Sequence, residues 1–146
     1  MIRKIEAKDR DLFYALTNEF YNSDSVLSPI PFKNHKDTFN ELMASDNYIS
    51  GYILTIKNND AGYALTSKYY SHEAGGLTLF VEELFVLEQY RSMGLGKEFF
   101  EYLMSNNDSK IVRWRLEGDS KNRRAIDLYS AQGFEKLDYN QMIKDI

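Results

Sequence analysis

The chain reads as one mixed α/β domain of 146 residues. Three observations carry that reading. Helical and strand periodicities alternate along the whole length, two apolar stretches in the middle are joined by Asn58-Asn59-Asp60, and a long apolar run passes through glycines into a helix. A meander of antiparallel strands followed by crossover helices makes a mixed sheet. No linker, repeat or low-complexity run divides the chain, and its length suffices for one core, so residues 1–146 are expected to form a single domain.

Each element has its own signal. Residues 2–7 predict a first strand, and Asp9 opens a helix in which Leu12, Phe13, Leu16 and Phe20 recur at helical spacing to about Tyr21. The segment YNSDSVLSPIPF holds both prolines and stops that helix. A short second helix follows, with Phe39, Leu42 and Met43 on one side. Gly51 to Lys57 and Ala61 to Tyr70 form a hairpin, His72 to Gly76 a loop, Leu77 to Leu87 a buried strand and Gly94 to Met104 its helix. Ile111 to Glu117 alternates, with Val112, Trp114 and Leu116 on one face. After Gly118-Asp119-Ser120, which can cap a helix, Ala125, Ile126, Leu128 and Tyr129 line a last helix that stops at Gly133. FEKL and YNQMI are expected to add two more strands. The order β-α-α-β-β-β-α-β-α-β-β predicts a twisted, mostly antiparallel sheet of about seven strands with about four helices.

Composition narrows the chemistry. With no cysteine, disulfides, thiolate metal sites and a cysteine nucleophile are all excluded. The two histidines, His35 and His72, stand in polar segments and are expected at the surface, so no metal site is predicted. A net charge of −4 argues against nucleic acid as a partner and tolerates a cationic one. Yet the sign is uneven: Arg91, Lys97, Lys110, Arg113, Arg115, Lys121, Arg123 and Arg124 fall in the later half, whereas Glu19, Asp24, Asp37, Glu41 and Asp46 fall in the earlier one. A basic field in an acidic protein suits an anionic ligand. No apolar run is long enough to span a membrane, and MIRKIEAKDRD lacks a signal-type apolar stretch, so a cytoplasmic protein without membrane contact is expected.

The stretch VEELFVLEQYRSMGLGKEFFEY, residues 81–102, organises the rest. Glycines between a strand and a helix let the backbone approach a ligand, and the free N–H groups of the new helix attract anions. RSMGLG fits the signature Arg/Gln-x-x-Gly-x-Gly/Ala, and Asn122 to Phe134 fits N-x-x-A-I-x-L-Y-x-x-x-G-F. The ordered pair resembles the GNAT family of acetyl-CoA-dependent N-acetyltransferases over about residues 77–138. Two departures stand out: Glu88 replaces a frequent proline, and Ser92-Met93 replaces a pair that is commonly Gly-Lys.

The resemblance implies the acyl-CoA N-acyltransferase fold, acetyl-CoA as cosubstrate without a metal, and direct transfer to a primary amine of a small molecule or peptide. It assigns the pyrophosphate to the backbone of Ser92, Met93, Gly94, Leu95, Gly96 and Lys97, with Arg91 fixing the turn or contacting phosphate and Asn122 opening the second motif. Arg123 and Arg124 are either further contacts or plain surface charges. Leu84, Phe85 and Val86 match the splayed strand that holds the pantetheine arm and thioester. Glu82 matches a glutamate base, with Glu83 as its substitute; strand alternation implies that only one of them enters the site, and a salt bridge to Arg113 or Arg115 is the alternative use of either. Tyr129 matches the general acid toward the leaving thiolate. Acids and aromatics that suit a cationic acceptor stand at Glu19, Phe20, Tyr21, Asn22 and Asp24 and at Tyr69, Tyr70 and His72. Members often dimerise through their last strands, so a homodimer is compatible. A catalytically silent acyl-CoA sensor on the same fold is the alternative, and the absence of a P-loop lysine and of a full GxGxxG disfavours an unrelated nucleotide-binding domain.

Overall fold

A computed structural model describes residues 1–146. Its sheet has five strands in the order β1-β2-β3-β4-β5. These are β1 (Ile2–Lys4), β2 (Ile49–Ile56), β3 (Asn59–Ser71), β4 (Gly76–Val86) and β5 (Ile111–Leu116). The first four are antiparallel neighbours, and β5 runs parallel to β4. Parallel pairing requires a crossover, which α3 (Leu95–Ser105) provides. The remaining helices are α1 (Arg10–Tyr21), α2 (Phe32–Ala44) and α4 (Arg123–Ala131).

Side-chain alternation sorts the core into two layers. On one face Tyr52, Leu54, Ala64, Leu79 and Val81 meet Leu95, Phe99, Phe100 and Leu103 of α3, with Leu128 and Tyr129 of α4 packed beside them. On the other face Ile53, Tyr63, Leu65 and Phe85 meet Phe13 and Leu16 of α1 and Phe39 of α2. His35, expected at the surface, lies buried in α2 against the rings of Tyr21 and Phe32, and burial lowers its pKa. The turn formers before α2 hid that its polar sequence still lays one side on α1.

An irregularity in β4 decides where the polar residues of this strand point. Leu65 pairs with Glu83 but Thr66 pairs with Val81, so Glu82 is an extra residue, a β-bulge. Before it, odd-numbered Leu79 and Val81 face the α3 layer; after it, even-numbered Leu84 and Val86 do, and odd-numbered Phe85 faces α1 and α2. Glu82 accepts a hydrogen bond from Ser67 and Glu83 from Tyr63, both on the α1 side of β3. The two carboxylates therefore share a face, where unbroken alternation predicted that they part.

Two further expectations change. Val112 was expected to point inward with Trp114 and Leu116, but the β4–β5 register slips between Leu77 and Thr78, and Val112 is left 56% exposed beside Gly76. Trp114 still stacks on Phe100 at 6.4 Å between centroids. Of the expected seven strands only five form: residues 134–146 hold none, and β5 is the edge of the sheet. Phe134 packs on Phe100, whereas Leu137, Tyr139, Met142, Ile143 and Ile146 are exposed. Apolar alternation makes a strand only where a neighbouring ladder takes up the backbone groups, and these residues find none.

The chain's entry into α1 is fixed by charge. Arg3 on β1 donates two hydrogen bonds to the buried Asp9, at 2.7 and 2.9 Å, and the Glu6 amide adds a third at 2.8 Å. The Arg3 guanidinium holds the Asp9 carboxyl below the usual carboxylate range. A folded-state pKa below the unfolded one contributes stability that is complete above the unfolded value near ~3.9 and is lost as pH falls through the folded value. Asp9→Asn should cost roughly 2 kcal/mol at neutral pH in urea denaturation, and the gap to the parent should narrow as pH drops below ~4. A gap that is constant with pH would assign the loss to packing instead.

Candidate active site

The turn that begins α3 leaves a row of donors open. No backbone N–H from Ser92 to Lys97 donates to a backbone carbonyl; the first bond of the helix runs from Glu98 N–H to Gly94 O at 2.9 Å. Ser92 has φ +62° and Gly94 φ +86°, which turns successive amides the same way and makes a concave anion site at a helix N-terminus. Arg91 holds this turn to the end of β4, its Nε donating to Val86 O at 3.0 Å. The two glycines do different work. A Cβ on Gly94 would meet no protein atom within 4 Å, so the space above it is open to a ligand. A Cβ on Gly96 would come within 2.6 Å of Leu128 Cδ2, so this glycine lets α4 pack closely on α3. An open cradle of free N–H groups, with Arg91, Lys97 and Arg124 lining the same cavity, fits the phosphates of coenzyme A.

That cavity, about 320 Å³, lies where β4 and β5 diverge and is walled by α3, α4 and the end of α1. It brings together Glu82, Leu84, Phe85, Val86, Arg91, Ser92, Gly94, Leu95, Gly96, Lys97, Asn122 and Tyr129, the sequence-predicted residues apart from Met93, whose side chain is exposed away from it. Asn122 caps α4, its Oδ1 accepting from Ala125 N–H at 3.2 Å. Arg124 lines the cavity, and Arg123 does not.

The polar groups at its floor differ in how they are held. Tyr129 packs its ring edge-on against Phe100 at 6.1 Å, its hydroxyl makes no hydrogen bond to protein, and burial pushes its pKa up. Glu82 is exposed, with Ser67 as its one hydrogen-bond donor. Glu83 is half-buried: Tyr21 donates to its Oε1, and Tyr63 to its Oε2 at 2.6 Å. Burial pushes the Glu83 carboxyl above the ordinary range and the two phenols pull it back, while burial and Glu83 raise the pKa of Tyr21 and Tyr63. The salt bridges weighed for these glutamates do not form. Arg113 pairs with Glu73 at 2.7 Å, and Arg115 donates to the Tyr69 hydroxyl.

Among the acceptor candidates, Phe20 lines the cavity and Tyr21 reaches it through Glu83, whereas Glu19, Asn22, Asp24, Tyr69, Tyr70 and His72 stay outside. Sequence reasoning missed Ser25, Tyr90, Glu117, Asp119 and Tyr63. For Glu117 a signal existed, since it directly follows the strand laid parallel to β4, whose last pair, Val81 with Leu116, stands next to the glutamates; Tyr63 sat in an apolar run and read as core. No grouping of three or more histidine, aspartate or glutamate side chains is placed to hold a metal ion, and no helix is long and apolar enough to cross a membrane.

A family model described as the acetyltransferase (GNAT) domain matches residues 47–136, more than half of the chain. The chain belongs to the GNAT family. Among solved structures, this family member resembles a possible acetyltransferase from Clostridium difficile 630, with TM-score 0.83 and 18% identity over 100% of this chain and 97% of the other. It also resembles AAC(6')-Iy in complex with the bisubstrate analogue CoA-S-monomethyl-acetylneamine, with TM-score 0.82 and 17% identity over 100% and 97%. A third is a predicted acetyltransferase from Clostridium acetobutylicum solved with acetyl-CoA, with TM-score 0.78 and 16% identity over 99% and 95%. At these identities the likeness is one of fold. No curated protein sequence matches the chain.

The contrast between the glycines is testable. Gly94→Ala should weaken acetyl-CoA binding at least about tenfold in calorimetry, with a thermal shift limited to the roughly 1 kcal/mol of left-handed strain. Gly96→Ala should instead lower the melting temperature by displacing Leu128. Full affinity in Gly94→Ala would remove the turn from the phosphate site.

Proposed function

We propose that this GNAT-family protein transfers the acetyl group of acetyl-CoA directly to a primary amine, with Glu82 as general base and Tyr129 as general acid. The observation that supports it most is the meeting, in one cavity, of a row of unbonded α3 amides, an unbonded tyrosine hydroxyl and two carboxylates. When bound, acetyl-CoA supplies the thioester and a thiolate leaving group; this chain's residues do the rest.

The amides from Ser92 to Lys97, with Lys97 and Arg124, hold the phosphate end, and Leu84 to Val86, beyond the bulge, border the path toward the reacting carbon. Backbone N–H groups on a strand that turns from its neighbour can stabilise an oxyanion without regard to side-chain identity. Glu82 is open to the cavity and has a single donor, so a lone pair remains to take the ammonium proton, directly or through water. Burial keeps Tyr129 in its protonated form, and its hydroxyl, which makes no hydrogen bond to protein, is available to protonate the departing sulfur. Without cysteine there is no acetyl-cysteine route, so the amine attacks in a ternary complex.

Glu82→Gln should lower kcat about 100-fold or more while acetyl-CoA affinity stays near that of the parent. Tyr129→Phe keeps the ring packed against Phe100 and Phe134 and should slow transfer by a comparable factor without a large loss of melting temperature. Thiol release from acetyl-CoA against an amine panel, followed by calorimetry of each variant, reads both. Unchanged turnover in either variant removes that residue from the chemistry. Binding of acetyl-CoA with no thiol release to any amine favours the silent acyl-CoA sensor.

A further inference from the structure

Of the four carboxylates that line the cavity, the proposed chemistry uses only Glu82, and among the other three Glu83 is the one clasped by two phenols. Glu83 stands next to the base on the same face of β4, yet it is held quite differently. Each of its oxygens accepts a hydrogen bond from a phenol, Tyr21 at the end of α1 and Tyr63 in the middle of β3. Tyr63 is fully buried among Phe13, Phe20 and Phe85, so its hydroxyl cannot swing away. The carboxylate is thereby fixed in position and direction. Burial lifts its pKa, and the two phenols counter that lift by hydrogen-bonding the ionised form, so a cation would meet a carboxylate held by a donor on each oxygen. Each oxygen retains a second lone pair for a ligand N–H.

No lysine or arginine compensates this charge. None of the protein's ion pairs involves Glu82, Glu83, Glu117 or Asp119, although all four line the cavity, and the cavity's cations, Arg91, Lys97 and Arg124, belong to the turn before α3 and the ends of α3 and α4. A half-buried carboxylate without a cation is costly until a ligand supplies one. The reacting nitrogen cannot supply it through the reaction, since it must be neutral when it attacks. A second ammonium on the acceptor can.

We infer that Glu83, clasped by Tyr21 and Tyr63, anchors a non-reacting ammonium group, so that the preferred acceptor carries at least two amines: one neutralised by Glu82 and acetylated, the other kept charged against Glu83. The inference rests on the transferase reading above and specifies its substrate class. Tyr21 and Tyr63 are positioning residues, acting through Glu83.

The test compares diamines with monoamines of equal length, diaminopropane with n-propylamine and diaminobutane with n-butylamine, by thiol release from acetyl-CoA on the intact protein. Diamines should be favoured about tenfold or more in kcat/KM, chiefly through KM. In Glu83→Gln that preference should fall toward unity with acetyl-CoA affinity unchanged, and in Tyr21→Phe, which retains the charge but loses one donor, it should fall part of the way. Glu82→Gln should lower kcat and leave the KM preference standing. Equal use of both amine classes, or a preference that survives in Glu83→Gln, overturns the anchor and leaves the transferase reading intact. Bound acetyl-CoA with no thiol released to any amine overturns the transferase reading, and the anchor with it.

Discussion

One extra residue in β4 sets the geometry of everything around the cavity. Without the bulge at Glu82, strand alternation would carry Leu84 and Val86 to the α1 and α2 face, and Phe85 into the α3 layer. Both cores would lose their fit, because Phe85 packs with Phe20 and Tyr63 on one side while Leu84 and Val86 complete the cluster around Phe99 and Phe100 on the other. The bulge thus lets one strand serve two layers in two phases. Its by-product is a pair of adjacent glutamates on one face, which regular alternation forbids. A bulge also strengthens local twist, and the cavity opens at the end of β4 that lies beyond it, between this strand and β5.

The cavity is electrostatically divided along its length, and the division follows from which elements build each end. The turn before α3 contributes a helix N-terminus, unbonded amides, Arg91 and Lys97, all favouring anions. The strand side contributes Glu82 and Glu83 from β4 and Glu117 from just beyond the neighbouring β5, all favouring cations. Between them lie Leu84, Phe85, Val86 and Leu128, apolar side chains that keep the dielectric low and lengthen the reach of both fields. On the proposed function, an anionic cosubstrate and a cationic acceptor would be drawn to opposite ends and meet over the apolar middle.

The sequence made the second half of the fold readable because two glycine-bearing signatures with strand-to-helix context tie backbone geometry to particular residues: Gly94 at φ +86° and Gly133 at φ +88° stand where the pattern placed them, although α4 is capped by Asn122 and not by Gly118-Asp119-Ser120. The sheet's final extent was not readable. FEKL and YNQMI have apolar content but no partner strand, and pairing is a property of two segments. The same limit explains Glu82 and Glu83: a bulge is a mismatch between two strands, and no spacing within β4 alone reveals it. Tyr63 was invisible as a site residue for a related reason. Its ring satisfies every criterion of a core residue, and only the carboxylate across the ladder gives its hydroxyl a second use.

The two glutamates also show how identical side chains acquire different work from their donors. Glu82, exposed and held by one serine, keeps all but one of its lone pairs free. Glu83, half-buried and bridged by two phenols that are themselves packed in an aromatic cluster, is fixed and shielded. A proton acceptor has to reach the atom it deprotonates and then release the proton to solvent, which favours the first environment. A charge that positions a ligand should hold still, which favours the second, and a cation bound there would offset the burial that raises the Glu83 pKa. Placing both on adjacent residues requires a strand that presents consecutive side chains to one face, so on the proposed roles the bulge that reconciles the two cores is also what would let deprotonation and positioning be separated within one strand.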